Sequence, residues 1–126
     1  MASGVELDIG VREGTQNEDF IAMAVANIAA FSLEKERGEG LQWQVIRVDS
    51  EGHHHFRLVV RHPDRALDIG LKHALEREMN RLSSMDAAAV RKEYERCGRE
   101  GMKPSRLRHV SEHPDVWRDD FWNWIG

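Results

Sequence analysis

The feature that most limits the possible folds of this chain is an uncharged run, residues 20–33. Its apolar residues would lie on every side of a helix, and such a helix is normally buried on more than one face. The run is too short to cross a bilayer, which needs about 20 apolar residues. We therefore predict a central helix packed between a sheet and either other helices or a second subunit. Its alanines permit close approach of these neighbours: Ala22, Ala24, Ala26, Ala29 and Ala30.

The segments around this helix predict a small sheet and a helical second half. Strict apolar–polar alternation in residues 5–13 is typical of a strand, and two runs rich in β-forming residues, 41–49 and 54–62, predict a hairpin. Thr15 and Glu18 have the spacing of a capping box that opens the central helix, and the glycine-containing run 34–40 ends it. A further helix is predicted over 65–82, with an apolar stripe at helical spacing formed by Leu67, Leu71, Ala74, Leu75, Met79 and Leu82. Two more are predicted, one from Ser83 and Asp86 to the region 98–101 and one from about Pro114. We thus expect one α+β domain over 1–126, in the order β-α-β-β-α-α-α, with a three-stranded antiparallel sheet of order 1-3-2.

The tripeptide His-Pro-Asp occurs twice, at residues 62–64 and 113–115. It is the signature of the J-domain of co-chaperones, but nothing else in the chain resembles that family. Proline suits the first turn of a helix because it lacks the N–H that has no partner there, and aspartate favours the positive end of the helix dipole. We therefore predict that both tripeptides mark the starts of helices.

Length, cysteine content and charge indicate a single-domain protein of the cytoplasm. A chain of 126 residues with one cysteine, Cys97, has no internal disulfide, and no apolar leader precedes residue 5. We expect no association with a membrane. The net charge of −4 is unevenly distributed: residues 1–40 carry 8 acidic and 3 basic side chains, whereas residues 91–109 carry 3 acidic and 7 basic ones.

The basic segment 91–109 is a candidate site for nucleic acid or for a nucleotide-like phosphate ligand. Its cations could contact phosphates, and Arg57 and Arg61 on the second hairpin strand could extend the surface. An ordinary solvated helix face explains the same charges, and three glutamates dilute them. The candidate phosphate-binding residues are Arg91, Lys92, Arg96, Arg99, Lys103, Arg106 and Arg108.

The C-terminal stretch 116–126 holds three of the four tryptophans. On a helix, Trp117, Phe121 and Trp124 would share one face, which Trp122 and Ile125 widen. We expect this face to pack on the core, with Trp122 at its rim, and to reach a partner, because tryptophan is enriched where interfaces concentrate their binding energy. The predicted partner-binding residues are Trp117, Phe121, Trp122 and Trp124.

Catalytic and metal-binding patterns are weak. His53 and His55 would project from the same side of a strand, about 6.5–7 Å apart, but a single pair of this kind rarely makes a site. No nucleophile motif or glycine-rich phosphate loop is recognisable. We therefore predict no metal and no cofactor, and we favour a role without catalysis.

Together these features favour a non-catalytic interaction protein, such as an inhibitor, adaptor, regulatory subunit or chaperone of another protein. The alternative is the binder of nucleic acid or of a nucleotide-like ligand through 91–109. A homodimer is also expected, because so small a sheet leaves apolar helix surface uncovered.

Overall fold

The computed structural model describes residues 4–12, 14–37 and 40–124, so the predictions that involve residues 38–39 and Ile125 lie outside it. The α+β class is confirmed. The elements follow the order β1 (Val5–Ile9), α1 (Glu18–Arg37), β2 (Gln42–Ser50), β3 (His53–Arg61), α2 (Ile69–Ser83), α3 (Ala87–Arg99), β4 (Leu107–Val110) and α4 (Asp119–Trp122). None of the helices in the described ranges combines the length and apolarity needed to span a membrane.

The sheet has four strands in the order β1-β3-β2-β4. β3 lies between β1 and β2 and is antiparallel to both, as the sequence predicts. The predicted three-stranded antiparallel sheet is nevertheless wrong, because β4 adds a fourth strand parallel to β2, with Leu107 opposite Val45 and Val110 opposite Val48. The sequence conceals β4, since a strand of four residues with two basic side chains has too little apolar alternation to stand out.

The uncharged run forms the buried centre of the molecule, as predicted. Ala24, Val25 and Ala26 in α1 have no exposed surface. One face of the sheet packs on α1, and α2 and α3 also contact this helix. The apolar stripe of α2 is the one expected from the sequence: Leu71, Leu75, Met79 and Leu82 are all buried.

Side-chain caps correct several predicted helix starts. α2 begins at Ile69 rather than at residue 65, because the Asp68 carboxylate accepts the N–H of Leu71 at 2.8 Å. The first His-Pro-Asp therefore lies in a bend before the helix. In α3 the cap is Asp86, which accepts the N–H of Ala89 at 2.8 Å. Thr15 does not cap α1, since its hydroxyl donates to the Arg12 carbonyl.

The C-terminal segment, defined as residues 111–124, packs on the sheet face opposite α1. Val116 and Phe121 form a second apolar cluster with Ile46, Val48 and Val59. The predicted helix from Pro114 is wrong, because only Asp119–Trp122 is helical. The second His-Pro-Asp lies before a turn, and its aspartate accepts the N–H of residue 117 at 3.2 Å. Such local side-chain bonds compete with helix formation.

Candidate functional site

A groove of about 630 Å³ lies where β2 begins and β3 ends. We call it the tryptophan groove because Trp43, Trp122 and Trp124 line it, three of the four tryptophans in the chain. Its remaining walls come from the loop 101–105 and from residues near the end of α1, among them the acidic Glu34. Residues from four distant parts of the sequence therefore meet at one surface.

The buried amide of Asn27 holds one wall of the groove. Its nitrogen donates to the carbonyls of Met23 at 2.9 Å and Ser105 at 3.0 Å. Its oxygen accepts the indole N–H of Trp43 at 2.8 Å and the backbone N–H of Ser105 at 2.7 Å. All four hydrogen-bonding positions of this amide are thus used, which fixes the tryptophan and the loop relative to α1.

Arg61 stacks on Trp122 at the opposite side of the groove. The guanidinium carbon lies 4.2 Å from a ring centroid of the indole, and Nε donates to the side-chain oxygen of Gln42 at 2.8 Å. The indole N–H of Trp122 donates to the Val116 carbonyl at 2.7 Å. The stack and both hydrogen bonds orient the arginine and the tryptophan before any ligand arrives.

Two further side chains join the sheet to the C-terminal segment. Gln44 also lines the groove and is only 6% exposed, and its amide nitrogen donates to the Phe121 carbonyl at 2.9 Å. Arg108 donates to the same carbonyl at 3.1 Å and lies over the rings of Phe121 and Trp124, at 4.7 and 5.3 Å. The side-chain oxygen of Gln44 has no hydrogen-bond partner in the described part of the chain.

The structure separates the four predicted partner-binding residues. Trp122 and Trp124 are half-buried and line the groove, whereas Phe121 is 2% exposed and packs on the sheet. Trp117 is 40% exposed and is absent from the groove lining. The shared helical face does not exist, because residue 117 lies in a turn and residue 124 follows the end of α4.

The candidate phosphate-binding residues do not converge on one surface. Arg91, Lys92, Arg96 and Arg99 belong to α3, which packs on α1, whereas Arg108 lies in β4 beside Ile46 on the opposite sheet face. Hydrogen bonds to Glu93 and Glu100 raise the pKa of Arg96, and Arg91 stacks over the Phe20 ring at 4.3 Å. Arg106 lies in an exposed position just before β4. Lys103 alone of this set lines the groove.

The histidines and the cysteine form no evident catalytic or metal-binding constellation. His53 and His55 are exposed on β3, while His54 pairs with Glu18 at 2.5 Å. Within residues 4–12, 14–37 and 40–124, no three histidine, cysteine or carboxylate side chains are placed to share an ion. Cys97 is buried, and this burial raises the pKa of its thiol. A buried thiol of raised pKa is a poor nucleophile.

Sequence reasoning missed Trp43, Asn27 and Gln44 as site residues. Trp43 stands near the start of a strand, where it reads as one more β-forming residue, and Asn27 is the amide within an otherwise apolar run. Arg61 was found only as an extension of the basic segment. The available signal was the combination of a polar residue inside the uncharged run with a tryptophan at the strand start, since both need hydrogen-bond partners when buried.

The fold and the groove define a small α+β domain with a mixed four-stranded sheet and an aromatic, cationic surface groove. The chain belongs to the family described as "Protein of unknown function (DUF2004)", which matches residues 1–125. Among curated proteins, none matches the chain.

Proposed function

We propose that this protein is a non-catalytic interaction protein that binds a segment of a partner protein in the tryptophan groove. Inhibitor, adaptor, regulatory subunit and chaperone are the roles that fit such an activity. The observation that carries the proposal is the meeting of three tryptophans and Arg61 in one groove of about 630 Å³. Tryptophan and arginine are the residues most enriched among those that dominate binding energy at interfaces.

The chemical character of the groove supports binding rather than catalysis. Its functional side chains are mainly indoles, amides and cations, with one carboxylate, that of Glu34, and the thiol of Cys97 is buried elsewhere, in the core around α1. Indoles and amides supply contact area and hydrogen bonds but are not acids or bases near neutral pH. We further propose that the protein acts in the cytoplasm, which suits its single unpaired cysteine.

A pull-down from native lysate tests the partner-binding proposal when matched variants are compared. Wild-type protein should enrich one partner that Trp124→Ala captures at least about tenfold less well, a loss of about 1.4 kcal/mol. Trp117→Ala is the control, because this tryptophan is exposed but outside the groove lining. A partner captured equally by all three proteins would contradict the assignment of the groove.

The alternative function is binding of nucleic acid or of a nucleotide-like phosphate ligand. Its support is that Lys103 of the basic segment lies in the same groove as the tryptophans, and bases stack on aromatic side chains next to positive charge. Fluorescein-labelled oligodeoxythymidine should then bind with an affinity that falls steeply with salt, because phosphate contacts release counterions. Lys103→Gln should reduce both the affinity and the salt dependence. Lys72→Gln, on α2 and outside both the groove lining and the basic segment 91–109, is the matched control.

A further inference from the structure

We infer that the ligand of the tryptophan groove is a short acidic protein segment in which carboxylates flank an apolar residue. This inference rests on the proposed function and names the chemistry of the partner. It is carried by two observations: the state of the cations in the groove and the geometry of Arg61.

The cations of the groove lack the carboxylate partners that comparable cations have elsewhere. Arg47, for example, holds Asp49 at 2.9 Å and Asp19 at 2.5 Å. Arg61 and Lys103 form no salt bridge with any described residue. These two cations therefore lack a bound counter-charge, since Glu34, the carboxylate residue of the groove lining, pairs with neither of them, although the whole chain carries −4. An incoming carboxylate would supply that counter-charge.

Arg61 is already held in a geometry suited to a carboxylate. Its Nε bond to Gln42 and its stack on Trp122 fix the guanidinium plane, and its terminal nitrogens donate to no described residue. A guanidinium binds a carboxylate through two parallel N–H bonds, and prior ordering lowers the entropic cost of forming them. The same stack places the apolar surface of the indole next to the charge, so an apolar residue beside the carboxylate would be bound at the same time.

A peptide satisfies the groove better than a nucleic acid does. Arginines already cover one side of Trp122 and of Trp124, which reduces the surface left for base stacking. Residues 110–126 also carry 4 acidic side chains and 1 basic one, and these repel a polyanion more than a segment with two carboxylates.

Selection from a random-peptide phage library tests this inference with the intact protein. Wild-type protein should select peptides in which aspartate or glutamate flanks leucine, phenylalanine or tryptophan. Synthetic versions with glutamine in place of the acids should bind about tenfold more weakly, which corresponds to about 1.4 kcal/mol. Arg61→Gln and Lys103→Gln should each bind the acidic and the neutral versions nearly equally. Lys72→Gln, on α2 and outside the groove lining, should keep the wild-type preference.

The use of two groove variants separates a loss of binding from a loss of the folded structure. Lys103 is exposed in its loop, so Lys103→Gln should unfold at the same denaturant concentration as the wild type, even if Arg61→Gln lowers the stability of the fold. The inference would be overturned if the selected peptides lack acidic residues, or if Arg61→Gln and Lys103→Gln both keep the preference for acidic peptides. Either result would leave the partner-binding proposal intact. If no peptide is selected, both the acidic-segment inference and the partner-binding proposal are overturned, whether or not oligodeoxythymidine binds in a Lys103-dependent way.

Discussion

At the scale of single residues, the tryptophan groove depends on a polar side chain inside the most apolar part of the chain. Asn27 is fully buried in α1, where an amide without partners would cost free energy. Its bonds to Trp43 and Ser105 instead join the helix, the first residues of β2 and the loop before β4. The sequence shows that Asn27 interrupts an apolar run, but its partners are 16 and 78 residues away along the chain.

We predict that Asn27→Ala destabilises the protein by about 1–3 kcal/mol, since it leaves the indole N–H of half-buried Trp43 and the backbone groups of half-buried Ser105 without their partners. Asn80→Ala is the matched control, because Asn80 is exposed on α2 and its loss should change stability by less than about 0.5 kcal/mol. Urea unfolding followed by circular dichroism measures both values. Equal, small effects of the two substitutions would show that the Asn27 network contributes little.

At the scale of elements, the central helix could be predicted because its sequence leaves only one physical solution. A run without charge, with alanines and larger apolar residues on all sides, must be covered on all sides, and the sheet, α2 and α3 do so. Its covering elements were predicted less well. The stripe of α2 was found from its helical spacing, whereas β4 was missed because pairing with β2 over four positions, rather than local sequence, makes it a strand.

We predict that Ala26→Glu prevents folding, because Ala26 is completely buried in α1 and an unpaired buried charge costs several kcal/mol. The matched control is Ala88→Glu, which introduces the same side chain at an exposed position in the first turn of α3. There a negative charge interacts favourably with the helix dipole, by about 0.3–1 kcal/mol. Circular dichroism and gel filtration of both variants check the prediction. Soluble, native-like Ala26→Glu protein would refute the buried placement of α1.

The C-terminal segment shows why a spacing argument can fail. The spacing of Trp117, Phe121 and Trp124 implies one face only if the helix is continuous, and here it covers four residues. We predict that Phe121→Ala lowers the free energy of unfolding by about 3–5 kcal/mol, as buried aromatic truncations do. Trp117→Ala should lower it by about 1 kcal/mol or less, since its side chain is 40% exposed. Urea unfolding of both variants provides the comparison, and a reversed order would favour the continuous helix.

At the scale of the whole molecule, the groove could not be predicted because its walls meet only after the sheet is complete. Trp43, Arg61 and Lys103 belong to β2, β3 and the loop that precedes β4. The β2–β3 hairpin places Trp43 near Arg61, whereas Lys103 and the C-terminal tryptophans join them through the parallel pairing of β4 with β2 and through the C-terminal segment on the second sheet face. Class and central helix follow from local pattern, whereas the site follows from long-range contacts that no local pattern encodes.

Long-range packing also changes the assembly state that we expect for the protein. The sequence predicts a homodimer because a small sheet alone would leave apolar helix surface uncovered, but within one chain the sheet, α2 and α3 already bury α1. Among the large apolar residues of the described ranges, only Ile69 and Trp117 are strongly exposed. A stable interface buries about 1,200–2,000 Å² in total, more than two isolated side chains provide.

We therefore predict that the protein sediments as a monomer of 14.5 kDa at micromolar concentration. In a monomer, the tryptophan groove would be open to a different protein rather than covered by a second copy of the chain. Sedimentation equilibrium over a range of concentrations measures the mass, with Trp124→Ala as the comparison. A species of twice the mass that dissociates in Trp124→Ala would show that the groove binds another copy of this chain, whereas one that persists would place the dimer interface elsewhere.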